Sequence, residues 1–161
     1  MRDIYQELAR LEIQFEKHEH PPVFTVEEAD VQYADLKGAR TKNLFLRNKK
    51  GDRHYLLVVE SHRRVDLKEI RLLLEESSLS FGSPERLEKF LGLTPGSVSP
   101  FGIINDRDCA VVVVVDDGLL RHGYQNFHPN INTATLTLTT RDFQKFLETS
   151  GHEVRYLEFP Q

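Results

Sequence analysis

A chain of 161 residues, 39% apolar and 29% charged, is long enough for one hydrophobic core and has an ordinary globular composition. Its single cysteine, Cys109, excludes an internal disulfide, and no apolar run approaches the roughly 18 residues that a membrane helix needs. The net charge of −4 and pI near 6.0 argue against binding nucleic acid through the whole surface.

In chain order, Ile4, Leu8, Leu11 and Phe15 recur at helical spacing and predict an N-terminal helix. Ile13 and Phe15 also alternate as a strand would, which leaves the helix end open. Pro21-Pro22 stops what precedes them. Thr25-Val26-Glu27-Glu28 is a capping box and predicts a second helix over about 26–35, carrying Val26, Ala29 and Tyr33. Leu44–Leu46 and Tyr55–Val59 flank Asn48-Lys49-Lys50-Gly51-Asp52, a hairpin signal. Asp66 and Glu69 open a third helix, and Ser83-Pro84 a short fourth one that Gly92 ends. Residues 94–101, with Pro95, Gly96 and Pro100, read as loop. Cys109–Val115 reads as a central strand with Cys109 as a small core hydrophobe, and Thr133–Thr139 as a strand with one wet face. Thr140-Arg141-Asp142 opens a last helix ended by Gly151, and Val154–Phe159 is a last strand. Helices and strands interspersed with a hairpin predict an α/β (α+β) fold: a single domain over 1–161 with a mixed, mostly antiparallel sheet flanked by helices. One thiol, and an N-terminus passing from Met1 directly into helical periodicity, set the expectation of a cytoplasmic protein.

Few chemistries have the residues they need. The seven histidines and one cysteine show no standard zinc spacing; His18 and His20 would share a strand face, but no third ligand follows. There is no nucleophile elbow and no phosphate-cradling glycine loop. Three segments remain. Lys42-Asn43 falls at the expected start of a strand, where a lysine can hold a phosphate or a carbonyl oxygen. Gly96-Ser97-Val98-Ser99-Pro100-Phe101 combines glycine and proline, which can aim amides at an oxyanion. Phe127-His128-Pro129-Asn130 holds a histidine stiffened by the following proline. Taken singly, an edge lysine, an ordinary turn and a half-buried structural histidine account for them as well. Residues 37–53 also gather Lys37, Arg40, Lys42, Arg47, Lys49, Lys50 and Arg53 against one acid, Asp52. That stripe can attract phosphate, or can simply be a solvated hairpin.

Together, Lys-Gly-Ala-Arg-Thr-Lys-Asn-Leu-Phe-Leu (37–46), the Gly-x-x-x-Pro segment (96–100) and Phe-His-Pro-Asn (127–130) resemble the YbaK/ProX-type editing domains. His20-Pro21-Pro22-Val23-Phe24-Thr25-Val26-Glu27-Glu28 resembles the same family's N-terminal block, and the likeness to its free-standing alanyl-tRNA(Pro) deacylases is strongest. The resemblance implies hydrolysis of mischarged aminoacyl-tRNA without metal, cofactor or covalent intermediate. It places Lys42, Gly96 and His128 in the catalytic site and Asn43 at the tRNA 3′ end. Thr25, Ser97, Pro100, Phe127 and Pro129, in the matched segments, are expected to contact substrate. Arg40, Arg47, Lys49, Lys50 and Arg53 are a charge-based expectation for tRNA contact. Prolyl-tRNA synthetase or an elongation factor is the expected partner of so acidic a body, and no membrane is expected. Cysteine- or serine-charged tRNA, and a non-catalytic tRNA- or synthetase-binding module, are the alternatives.

Overall fold

The computed structural model describes residues 2–160, with Val26 described by its backbone alone; the side chain of Val26 and the residues Met1 and Gln161 lie outside the described residues. Helix α1 (Ile4–Arg10) is capped by Asp3 and buries Ile4 and Leu8. The helical spacing continues to Phe15, but Glu12 takes φ +59°, which breaks the helix and hands the chain to β1 (Glu16–Glu19). Helix α2 (Val26–Gln32) starts as its capping box dictates, the Thr25 hydroxyl accepting from the Glu28 amide at 3.1 Å. It ends before the expected boundary at 35.

Strands β2 (Ala39–Asn48) and β3 (His54–Glu60) form the hairpin. β2 begins five residues ahead of Leu44, because Ala39 and Arg40 pair in parallel with β6 (Tyr124–Phe127). Lys42 therefore lies inside a strand and not at its start. Helix α3 (Leu67–Leu73), strand β4 (Leu79–Phe81) and helix α4 (Pro84–Leu91) follow. Ser83 caps α4, and Gly92 ends it in the left-handed region at φ +66°. The stretch read as loop through Phe101 instead turns at Pro100 into a short 3-10 helix, Pro100–Asn105, capped by the Ser99 hydroxyl.

Strand β5 (Val111–Asp116) starts two residues after Cys109. Cys109 is not in the strand: its φ is +52°, its amide closes a turn onto the Asp106 carbonyl, and it is only half-buried. Strand β7 (Ala134–Thr139) has no wet face along Ala134–Leu138. Thr135 and Thr137 are buried because each hydroxyl has a partner, at 2.8 Å to His20 Nε2 and 2.6 Å to Asn126 Oδ1. Helix α5 (Thr140–Thr149) and strand β8 (Val154–Leu157) complete the chain.

The sheet order is β1-β7-β6-β2-β3-β5-β8, with β4 also on β2. Four pairings are antiparallel (β1/β7, β6/β7, β2/β3, β2/β4) and three parallel. On one face Phe101, Phe127, Phe143 and Phe146 meet at ring separations of 4.6–5.7 Å. On the other, Ile70 and Leu74 cover Leu46, Tyr55, Leu57 and Val59. Each such fully buried side chain contributes about 1.5–3 kcal/mol.

Position on β2 matters most for the site. One edge of β2 is taken by β3. On the opposite edge β6 pairs at Ala39–Arg40 and β4 at Leu46–Asn48. Between those pairings the sheet opens, and Thr41, Lys42 and Asn43 line the gap.

Candidate active site

The gap is the mouth of a cleft of about 280 Å³. This is just under the roughly 300–1,000 Å³ of a typical small-molecule site. β2 supplies Arg40, Thr41, Lys42 and Asn43, and the residue after β3 supplies Ser61. β6 and its continuation supply Asn126, Phe127 and His128. Phe24, Thr25, Ala29 and Tyr33 close one wall, Gly96 and Val98 another.

Most polar groups in the cleft hold the walls in place. The Thr41 hydroxyl donates to the Asn126 carbonyl at 2.9 Å. Asn126 donates to the Lys37 and Ala39 carbonyls, both at 2.9 Å, and accepts from Thr137. Arg40 is tied to Asp30 at 2.8 Å, and His62 reaches the same carboxylate at 3.0 Å. His20 Nδ1 faces the Pro21 carbonyl at 2.8 Å and so donates to it, while Nε2 meets the Thr135 hydroxyl at 2.8 Å and lies 3.2 Å from the Tyr33 hydroxyl. This cluster pins the C-terminal end of α2 to β7.

A second set of groups is left with unused capacity. Lys42 is half-buried; desolvation lowers its pKa from the usual lysine value, and no acid offsets that shift. Asn43 donates through Nδ2 to the Val98 carbonyl at 3.3 Å, while its buried Oδ1 has no partner among the described residues. Ser61 is buried, and its Oγ likewise has none. His128 donates through Nδ1 to the Ala134 carbonyl at 3.2 Å. Burial holds its pKa below the ordinary histidine value, the Ala134 carbonyl opposes that, and His20 nearby adds to it. The ring is thereby kept neutral, with Nε2 as an acceptor. The Ser97 amide is committed to the Thr94 carbonyl at 3.0 Å, whereas no backbone bond ties up the amides of Gly96 and Val98 among the described residues.

A half-buried cation and unused amides around a small concavity are suited to stabilising charge that develops on a carbonyl oxygen, while the neutral imidazole leaves Nε2 to accept a hydrogen bond from a bound group. Residues 20–146 match the family of aminoacyl-tRNA editing domains. The chain belongs to that family, whose members deacylate aminoacyl-tRNA. It is 38% identical over 155 residues to the prolyl-tRNA editing protein ProX of Acetoanaerobium sticklandii, covering 96% of this chain and 94% of that one. It is 36% identical over 158 residues to prolyl-tRNA synthetase associated domain-containing protein 1 of Bos taurus, covering 96% and 92%. The fold matches a crystal structure of a candidate trans-editing enzyme for prolyl tRNA synthetase, with a TM-score of 0.71 at 22% identity over 99% of each chain.

Of the residues singled out in sequence, this editing domain brings Lys42, Asn43, Gly96, His128, Thr25, Phe127 and Arg40 to the cleft. Ser97, Pro100 and Pro129 are buried and do not line it: the Ser97 amide closes a turn onto the Thr94 carbonyl, and Pro100 starts the 3-10 helix. Phe127 is shared between cleft and core, 4.6 Å from the Phe143 ring. Arg47, Lys49, Lys50 and Arg53 gather at the far tip of the hairpin, where Arg47 folds back on the Asn48 and Lys49 carbonyls. From Lys42 to Lys49 is seven residues, about 23 Å of strand. Among the described residues no three metal-ligating side chains come together. Sequence reading missed His20, Tyr33, Thr135 and Ser61. The first three show themselves only through pairings across the fold, and Ser61 carries no local signal beyond following a strand.

Proposed function

We propose that this editing domain acts in trans on alanine-charged tRNA(Pro), hydrolysing the ester and sparing Pro-tRNA(Pro) by steric exclusion of the prolyl ring. The observation that carries this reading is the convergence of Lys42, Gly96 and His128 on one cleft of about 280 Å³. The 3′-terminal ester enters with its carbonyl oxygen toward the Lys42 ammonium and the unused Gly96 amide. Water adds to the acyl carbon, the oxyanion is stabilised by these donors, and the ester bond breaks. The acyl group leaves as the free amino acid, and the departing ribose oxygen takes the proton. His128 Nε2 and Asn43 Oδ1 accept hydrogen bonds from the substrate and fix its orientation. The activated ester asks for little beyond this.

Exclusion by size supplies what the synthetase lacks. A pocket built for proline rejects a smaller amino acid by only about 1–3 kcal/mol per missing methylene, and a second, smaller sieve repairs the resulting errors. The relatives' names, a prolyl-tRNA editing protein and a synthetase-associated domain, support a tRNA(Pro) substrate and the synthetase as partner. The cytoplasm is the compartment that goes with this proposal. Serine and cysteine fit the same volume. The test is a deacylation panel of tRNAs carrying alanine, cysteine, serine and proline. Fastest release of alanine with intact Pro-tRNA(Pro) is expected. Preferred release of cysteine or serine would transfer the substrate assignment, and tight tRNA binding without any release would make the chain a binding module.

A further inference from the structure

Ser61 stands apart from the cleft's other hydroxyls. Thr25 caps α2, Thr41 holds Asn126, and Thr135 and Tyr33 hold His20, so each serves the scaffold. Ser61 is only 7% exposed, its Oγ has no partner among the described residues, and it lines the cleft. A buried hydroxyl without a partner is a cost to the fold, and such groups are completed by water, an ion or a ligand; of the eight such atoms among the described residues, only Ser61 Oγ and Asn43 Oδ1 belong to residues that line the cleft. Its place indicates the ligand. The Ser61 amide donates to the Arg40 carbonyl at 2.9 Å, which sets the residue beside the start of β2 and therefore on the Arg40–Lys42 wall. Phe127 and His128, which line the amino-acid side of the cleft in this proposal, come from β6 and the chain after it. Lys42, which no acid among the described residues neutralises, together with Arg40 in its pair with Asp30, makes the Ser61 wall the cationic one, suited to the oxygen-rich end of a nucleotide.

We infer that Ser61 is a substrate-positioning residue whose hydroxyl hydrogen-bonds an oxygen of the 3′-terminal nucleotide, either a ribose hydroxyl or its phosphate. This rests on the proposed tRNA substrate. Asn43 Oδ1, the other partnerless acceptor, would take a second hydrogen bond from the same nucleotide.

The experiment compares wild type and Ser61→Ala on Ala-tRNA(Pro) with a normal or a 2′-deoxy terminal adenosine, together with the melting temperature of each protein. Loss of one hydrogen bond raises KM about three- to tenfold, with kcat changed less than twofold. Because Oγ has no protein partner, the melting temperature of Ser61→Ala equals or exceeds that of wild type, whereas a structural serine would lower it. If the KM penalty disappears on the 2′-deoxy substrate, the partner is the ribose; if it persists, the partner is the phosphate. An unchanged KM on normal substrate, or a lowered melting temperature that accounts for the loss, overturns the inference while wild-type deacylation leaves the tRNA reading intact. A wild-type chain that releases no amino acid overturns both.

Discussion

At the scale of single residues, hydrogen-bond capacity separates the working groups of the cleft from its framework. Asn126 and Thr41 spend their bonds on holding β6 to β2; Lys42, Asn43 Oδ1, Ser61 Oγ and His128 Nε2 do not. The half-buried ammonium of Lys42 is poorly hydrated, so its field acts on a bound carbonyl oxygen more strongly than a surface lysine's would. His128 gives a pH prediction. Burial lowers its folded pKa below 6.5, and burial together with the Arg86 guanidinium does the same for His54. The unfolded chain therefore binds more protons just below 6.5, so stability is fully present above that value and falls as pH drops through the folded values. In the proposed function His128 binds substrate as the neutral ring, so deacylation is expected to follow the same direction. The acid limb of kcat/KM is expected below pH 6.5, and a limb above 6.5 in a rate profile would show that His128 is not the titrating group.

At the scale of elements, the sequence was legible where local chemistry decides the outcome. Ser83-Pro84 with Gly92 marks α4 at both ends, and Thr25 with Glu28 marks the start of α2. The strands read only in part or not at all, Glu16–Glu19, Leu79–Phe81 and Tyr124–Phe127, have three or four residues each and are strands only because a neighbour pairs with them. The same nonlocal pairing extends β2 back to Ala39 and so moves Lys42 into the sheet opening. The motifs therefore named Lys42, Gly96 and His128, but only the fold brings them together. Gly38 is the hinge of that arrangement. At φ +90° it precedes β2, and an added Cβ would sit 2.4 Å from the Tyr124 carbonyl oxygen on β6. Gly38→Ala strains the backbone and pushes β6 away, at a cost of about 2 kcal/mol or more. Thermal melting is expected to fall by roughly 5 °C or more, with loss of deacylation. An unchanged melting temperature would mean the β2/β6 junction does not hold the cleft.

At the scale of the whole molecule, the positive stripe of residues 37–53 is divided by the length of β2. Arg40 and Lys42 stand at the cleft, and Lys49 and Lys50 at a tip about 23 Å away. A ligand touching both must span about seven nucleotides of stacked helix at 3.4 Å each. An acceptor stem reaches that far, whereas a lone 3′ terminus does not. Outside residues 37–53 acids outnumber bases, 24 Asp and Glu to 14 Lys and Arg, so this stripe is the basic stretch of an otherwise acidic sequence. In the proposed function the ester breaks in the cleft at residue 42. The most direct measurement is single-turnover hydrolysis of Ala-tRNA(Pro) by wild type and Lys42→Ala at matched, saturating protein, with melting curves to confirm both are folded. The predicted result is a loss of at least about 100-fold in rate, the scale of removing one oxyanion donor, at a melting temperature no lower than wild type. A folded Lys42→Ala protein that releases alanine at the wild-type rate would contradict it.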